Sequence, residues 1–156
     1  MEYYSIMVKI DKTDLMVLDI LKKNAKLTTS EISKAVRKPI TTVHNRIKKL
    51  VKEGIIKNYT VIIDHKKIGN PINAFVLVNA EYKFIDGDYK NQEEIARAIK
   101  DLPEVEESCI VTGTTDIVIR TRHKDIDSLN NFLVHKLRKI QGVAKTQTAI
   151  ILKDLT

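Results

Sequence analysis

The sequence predicts an α+β chain in two halves: a winged helix-turn-helix built on three short helices, then a ferredoxin-like βαββαβ domain. Three observations lead there. Apolar residues recur at helical spacing from Thr13 to Gly54, and beyond the Gly69-Asn70-Pro71 cluster the pattern changes to strand-like stretches separated by helical ones. The third observation is charge. The 156-residue chain carries +7 overall, yet residues 1–70 hold 15 Lys+Arg against 7 Asp+Glu, net +8, while residues 71–156 hold 12 against 13, net −1. A basic first half calls for a polyanionic partner or, failing that, is a solvated lysine-rich surface.

In the first half, Leu15, Leu18 and Leu21 form the apolar stripe of a first helix that starts after Asp11 or Thr13 and ends near Asn24. Thr28 or Thr29 caps a second helix, with Glu31 near its start and Ile32 and Val36 on one face. The second helix must stop at Arg37-Lys38-Pro39, because proline cannot continue the backbone bonding and disfavours helix in the residue before it. A third helix starts at Thr41 or Thr42, buries Val43, Ile47, Leu50 and Val51, and ends at Gly54. The β-branched run Ile55 to Asp64 then reads as a short wing followed by a strand.

The turn-rich stretch His65 to Pro71 separates the halves, giving a helix-turn-helix domain over 1–64, a linker over 65–71 and a second domain over 72–156. There the predicted order is a strand from Ile72 to Tyr82, a helix from Gln92 to Leu102, strands from Val105 to Thr112 and Thr115 to Thr121, a helix from Ile126 to Ile140 and a strand from Val143 to Leu152. Such an order closes into an antiparallel sheet with both helices on one face. Ala74-Phe75-Val76-Leu77-Val78 is apolar without interruption, so both faces of that strand want cover. Helices can cover one face; the expectation for the other is a second copy of the chain.

With Val43, Ile47, Leu50 and Val51 turned inward, the third helix presents Thr41, Thr42, His44, Asn45, Lys48, Lys49 and Lys52 outward. These types suit a helix lying in a DNA major groove: asparagine can pair with adenine, threonine offers a hydroxyl and a methyl, and lysines neutralise phosphates. Arg37 and Lys38 add two cations at the turn, and Lys57, Lys66 and Lys67 could reach flanking backbone. Arg46 lies between the two faces and either contacts phosphate or ties the helices together. A dimer would set two such helices in successive major grooves on a pseudo-palindromic site. The lone Cys109, in an apolar-rich stretch, reads as a buried thiol and cannot form an internal disulfide. The sequence shows no apolar leader and no membrane-length apolar run, which points to the cytoplasm. His44, His65, His123 and His135 are scattered, and no metal spacing, phosphate loop or nucleophile–base pair stands out, so no cofactor and no enzymatic activity are expected.

The runs Thr29-Ser30-Glu31-Ile32, Thr42 to Leu50, Glu53-Gly54-Ile55-Ile56, Tyr59 and Ile63-Asp64 resemble the Lrp/AsnC, or feast/famine, family of transcriptional regulators. Leu102-Pro103-Glu104-Val105, Val111 to Asp116, Gly142-Val143, Thr146 and Thr148 extend the likeness in register, so that it covers Ile10 to Leu152. The resemblance implies an N-terminal DNA-binding domain, a hinge strand, and a C-terminal domain that forms homodimers, often tetramers or octamers, and commonly senses an amino acid or related metabolite. It also implies an effector pocket beside the Val111 to Asp116 hairpin, with Gly113 and Thr115 lining it, Asp116 taking an ammonium group, and Thr146 and Thr148 supplying hydroxyls. Read without the resemblance, Gly-Thr-Thr-Asp serves equally well as a hairpin turn with no ligand. Three departures stand out. Arg37 and Lys38 occupy a turn where the family has glycine and a hydrophobic residue, so Arg37 is expected to take a positive φ; Thr115 replaces an aromatic; and Tyr82 to Asn91, with a surface turn at Asp86-Gly87-Asp88, is longer than usual. Two other classes share this arrangement: a haem-biosynthesis decarboxylase-like enzyme subunit, and a sensor or assembly protein that no longer binds DNA.

Overall fold

The structure, a computed structural model, describes residues 9–81, 84–85, 88–89 and 91–154. Tyr82, Asp86 and Gly87, where the sequence suggested a strand end and a surface turn, lie outside the described residues. The chain divides into two compact units, Met1–Ile62 and Ile63–Thr156.

In the first unit, α1 (Lys12–Lys23) is capped by Asp11, whose carboxylate accepts from the Thr13 and Asp14 amides while the Asp14 carboxylate accepts from the Asp11 amide. α2 (Thr29–Val36) uses the same reciprocal box with Thr28 and Glu31. It ends as predicted on Arg37, held left-handed at φ 53°, with the Lys38 amide reaching back to the Ser33 carbonyl. α3 (Ile40–Lys52) starts immediately after Pro39, before either expected threonine: the fixed proline φ already suits helix entry, and the Val43 amide bonds the Pro39 carbonyl.

Val17, Leu21, Ile32, Val36, Val43 and Leu50 form the core of this unit. Leu15 and Val51, expected inside, are exposed, because the buried line of α1 runs through Asp14, Val17 and Leu21 and that of α3 through Val43 and Leu50. Past Gly54, the Ile55 and Ile56 amides both bond the Leu50 carbonyl and tuck the two side chains against the core. Residues 57–64 form neither helix nor strand, contrary to the strand expected there. A strand exists only with a ladder partner, and the described residues offer these none. Val61, Ile62 and Ile63 are left exposed, and Val61 and Ile62 border a groove with Leu15, Leu18 and Ile56.

The second unit contains β1 (Ile72–Ala80), a hairpin of β2 (Phe84–Ile85) and β3 (Asp88–Tyr89), α4 (Gln92–Lys100), β4 (Val105–Ile110), β5 (Ile117–His123), α5 (Ile126–Asn131) and β6 (Val143–Ile150). α5 runs on through a π-helical turn, Phe132–Lys136, and a 3-10 turn, Leu137–Lys139. The antiparallel order β4-β5-β1-β6 is the ferredoxin-like arrangement, to which the small hairpin is an addition. Ala74, Val76, Val78, Ile117 and Ile119 pack on one face against Ile95 and Ile99 of α4, Leu129 of α5 and Phe132 of the π-helical turn after it. Phe75 and Leu77 therefore point to the face without helices, beside Val118, Ala149 and Cys109 by register. Cys109 is exposed, not buried: neighbours in a strand alternate faces, and its own face is the uncovered one.

Candidate DNA-binding surface and effector hairpin

On α3, Thr41, His44, Asn45, Lys48 and Lys52 are all exposed, and their spacing of 3, 4, 7 and 11 residues from Thr41 places them on one side of the helix. Thr42 and Lys49 flank this stripe and are half-buried, and the Lys49 ammonium donates to the Lys9 carbonyl at 3.0 Å. Arg37 and Lys38 are exposed in the turn that leads into α3. No side chain caps the start of α3, so its first-turn amides and the positive end of its dipole are available to a phosphate.

The two uses open to Arg46 are separated by geometry. Its Nη1 lies 3.1 Å from both carboxylate oxygens of Asp14, which is fully buried, and 2.5 Å from Asp11 Oδ2. Bonds to Asp11 and Asp14 hold the guanidinium pKa above its ordinary value. The Asp11 carboxyl is held below its own, first by the Asp14 amide and then by Arg46. Arg46 thus ties the start of α1 to the middle of α3. A sequence signal for this existed: an aspartate in line with the apolar positions Val17 and Leu21 must be buried, and a buried carboxylate needs a cation.

In the second unit, the hairpin after β4 closes with the Val111 amide on the Asp116 carbonyl at 2.9 Å. Gly113 sits at φ 121° with open space where a side chain would stand. Bonds that fasten this hairpin to its surroundings include Asn79 Nδ2 donating to the Thr114 carbonyl, Gln92 Nε2 to the Asp116 carbonyl, the Ala80 amide to Asp116 Oδ2 at 2.9 Å, and the Asp116 amide to the Val78 carbonyl at 3.1 Å. Asn79 and Gln92 were missed by sequence reasoning, because each acts across at least 24 residues. Thr115 is half-buried. Thr146 and Thr148 pair with Val78 and Val76 on the far side of β1, so β1 stands between them and the hairpin. The Thr146 hydroxyl accepts from Arg138 Nε at 3.2 Å.

The uncovered sheet face joins an apolar patch, Phe75, Leu77, Val118 and Ala149, to an ionic border. In that border Glu106 lies within reach of His65, Arg120 and Arg122, and the Arg120 guanidinium stands 5.8 Å over the Phe75 ring. Elsewhere His123 is buried with Nε2 unbonded, its ring 5.1 Å from that of Phe132. Burial pushes its pKa down, opposed by Glu104 and aided by Lys136. Among the described residues, no cluster of His, Cys, Asp and Glu could hold a metal ion.

Residues 10–57 match a winged helix-turn-helix DNA-binding family, and residues 73–156 match the Lrp/AsnC ligand binding domain. The chain is 38% identical over 141 residues to an uncharacterised helix-turn-helix transcriptional regulator of Pyrococcus furiosus, covering 90% of this chain and 91% of that one. A transcriptional regulator of Neisseria meningitidis, solved in complex with L-Met, superposes with a TM-score of 0.86 at 26% identity, over 95% of this chain and 93% of that one. AsnC of Escherichia coli gives 0.78 at 26% identity over 96% of each chain. With both units matched in order and a helix-turn-helix transcriptional regulator similar along nearly the full length, the chain belongs to the Lrp/AsnC family of DNA-binding transcriptional regulators.

Proposed function

We propose that the chain regulates transcription as a homodimer, with residues 1–64 as the DNA-binding domain, 65–71 as linker and 72–156 as the oligomerisation and effector domain. The observation that carries this reading is the exposed stripe Thr41, His44, Asn45, Lys48 and Lys52, one face of a helix whose opposite face is buried. Asn45 and the threonines would meet base edges; Lys48, Lys52, Arg37 and Lys38 would meet phosphates, as would Lys49 where its bond to Lys9 opens. Two such helices related by a twofold axis read a pseudo-palindrome.

Self-association is supported by the sheet face carrying Phe75 and Leu77, an apolar centre with a charged border, which is the composition of a protein interface. The exposed run Val61, Ile62 and Ile63 gives a second copy a further place to add, and tetramers or octamers follow if more than one such face is used.

An amino acid is the proposed effector, bound at Gly113, Thr115 and Asp116, as the likeness to a regulator solved with L-Met supports. Its ammonium group would meet an Asp116 carboxylate already oriented by the Ala80 amide. A ligand reaching the Thr146 hydroxyl would have to displace Arg138, and Thr148 would be met one rung further along β6. The regulator is read as non-enzymatic and cytoplasmic; none of the described helices is long and apolar enough to cross a membrane.

The test is binding of the full chain to duplex from upstream of its own gene against random duplex, at two salt concentrations, with each amino acid added in turn. Preference for the upstream site that weakens steeply with salt supports the reading. No binding to either duplex at low salt refutes it.

A further inference from the structure

Arg46 sits where α3 turns from its buried line to its exposed stripe, close enough to the stripe for a long cation to be spent on phosphate. Its surroundings prevent that. The Asp14 carboxylate has no exposure, and swinging Arg46 outward would leave it buried without its cation, a strongly unfavourable state. Asp11 and Asp14 also form the capping box of α1, so the same two carboxylates start one helix and grip the other. The grip lies off the α3 axis and therefore opposes rotation of α3 about it. Side-chain ends lie about 5–6 Å from a helix axis, so a turn of about 20° moves them by roughly 2 Å, enough to break a two-bond contact to a base edge.

Resting on the DNA-binding reading above, we propose that Arg46 is a positioning residue: held by Asp14 and Asp11, it fixes the rotation of α3 and so the discrimination between DNA sequences, and it makes no phosphate contact. Phosphate contacts from flexible lysines tolerate a rotated helix far better than base contacts do. Loss of the clamp should therefore damage selectivity and leave non-specific binding in place.

The full-length chain is used to select a duplex from a random pool, and affinities for the selected duplex and a scrambled one of equal length are measured across a salt series. Arg46→Lys keeps the charge and replaces the planar guanidinium, whose Nη1 reaches both carboxylates, with a compact ammonium on a different stem. This variant and Asp14→Asn should each reduce the ratio of the two affinities by about tenfold or more, a loss the size of one good base contact. Both should keep the wild-type affinity and salt slope on scrambled DNA, and the double variant should be no worse than the worse single one. Melting curves set a temperature at which every variant is folded; if Asp14→Asn does not fold, Arg46→Lys carries the test. A phosphate role predicts the reverse: Arg46→Gln weakens both duplexes alike and lowers the slope by about one per subunit, Arg46→Lys restores both, and Asp14→Asn is silent. That pattern overturns the proposal, as does undiminished discrimination in the variants. A wild-type chain that selects no duplex overturns the DNA-binding reading and the clamp's role together.

Discussion

Neutralising Lys48 and Lys52 should flatten the salt dependence of DNA binding, and neutralising Lys49 should do so far less. All three lie on α3, but Lys48 and Lys52 are exposed on the stripe whereas Lys49 is half-buried with its ammonium on the Lys9 carbonyl. Each phosphate neutralised contributes about 0.9 to the slope of log affinity against log salt. Two lysines in each of two reading heads therefore account for a slope of about 3.6 in a dimer, or about a hundredfold in affinity over a fourfold change in salt. The assay is fluorescence anisotropy on a labelled scrambled duplex across a salt series, comparing Lys48→Gln/Lys52→Gln with Lys49→Gln. Two results would refute the reasoning: an unchanged slope in the double variant, with or without a uniform loss of affinity, or an equal effect from Lys49→Gln. Each would mean that the exposed side of α3 does not face the phosphates.

Four further outcomes follow from local geometry. Arg37→Gly should stabilise the first unit by about 0.5–1 kcal/mol in denaturant titration, since glycine removes left-handed strain at φ 53° but adds freedom to the unfolded chain; a destabilised variant would show that the side chain matters more than the strain. Gly142→Ala places a Cβ 2.5 Å from Ile95 Cδ1 at φ 96°, so overpacking and backbone strain together should lower stability by about 2–4 kcal/mol. Gly113→Ala, in open space, should lose only the strain, and equal losses in the two variants would sink the packing argument. Burial depresses the folded-state pKa of His123, so its contribution to stability is present above the unfolded value of about 6.5 and is lost as pH falls through the folded one; the urea midpoint should drop over that interval, and His123→Gln should flatten the drop. Phe75→Glu should convert dimers to monomers in sedimentation velocity, and an undisturbed dimer would move the interface off this sheet face.

What could be read ahead of the structure was local. Asp11 and Thr28 cap helices because their carboxylate and hydroxyl reach amides two or three residues on, and Pro39 ends α2 by chain geometry alone. The positive φ of Arg37 was foreseeable from the family resemblance, because Arg37 stands in the turn where the family has glycine. The run 74–78 divides as its alternation demands, with Val76 fully buried and Phe75 exposed on the opposite face. Errors arose where composition was taken for burial. Leu15, Val51 and Cys109 are apolar but lie off the buried lines, and the run 57–64 has the residue types of a strand without a neighbour to pair with.

Periodicity tells which side of an element is buried and is silent on what that side meets. Asp14 and Arg46 are 32 residues apart, Asn79 and Thr114 are 35, and Gln92 and Asp116 are 24. None of these pairs belongs to a repeating pattern, yet they orient the reading helix and the hairpin. The polar residues easiest to nominate, such as Thr146, have chemistry that suits many partners, and here the hydroxyl is held by Arg138. Asp14 offered the better clue because it violates its surroundings: a carboxylate in line with Val17 and Leu21 is tolerable only beside a cation, and Arg46, at the edge of the facing helix, is placed to supply it. Residues that break a pattern therefore constrain tertiary structure more tightly than those that fit it, since each demands a particular partner. In this chain that demand links the cap of α1 to the rotation of α3, so a feature legible as a local helix start also bears on how DNA sequence is read.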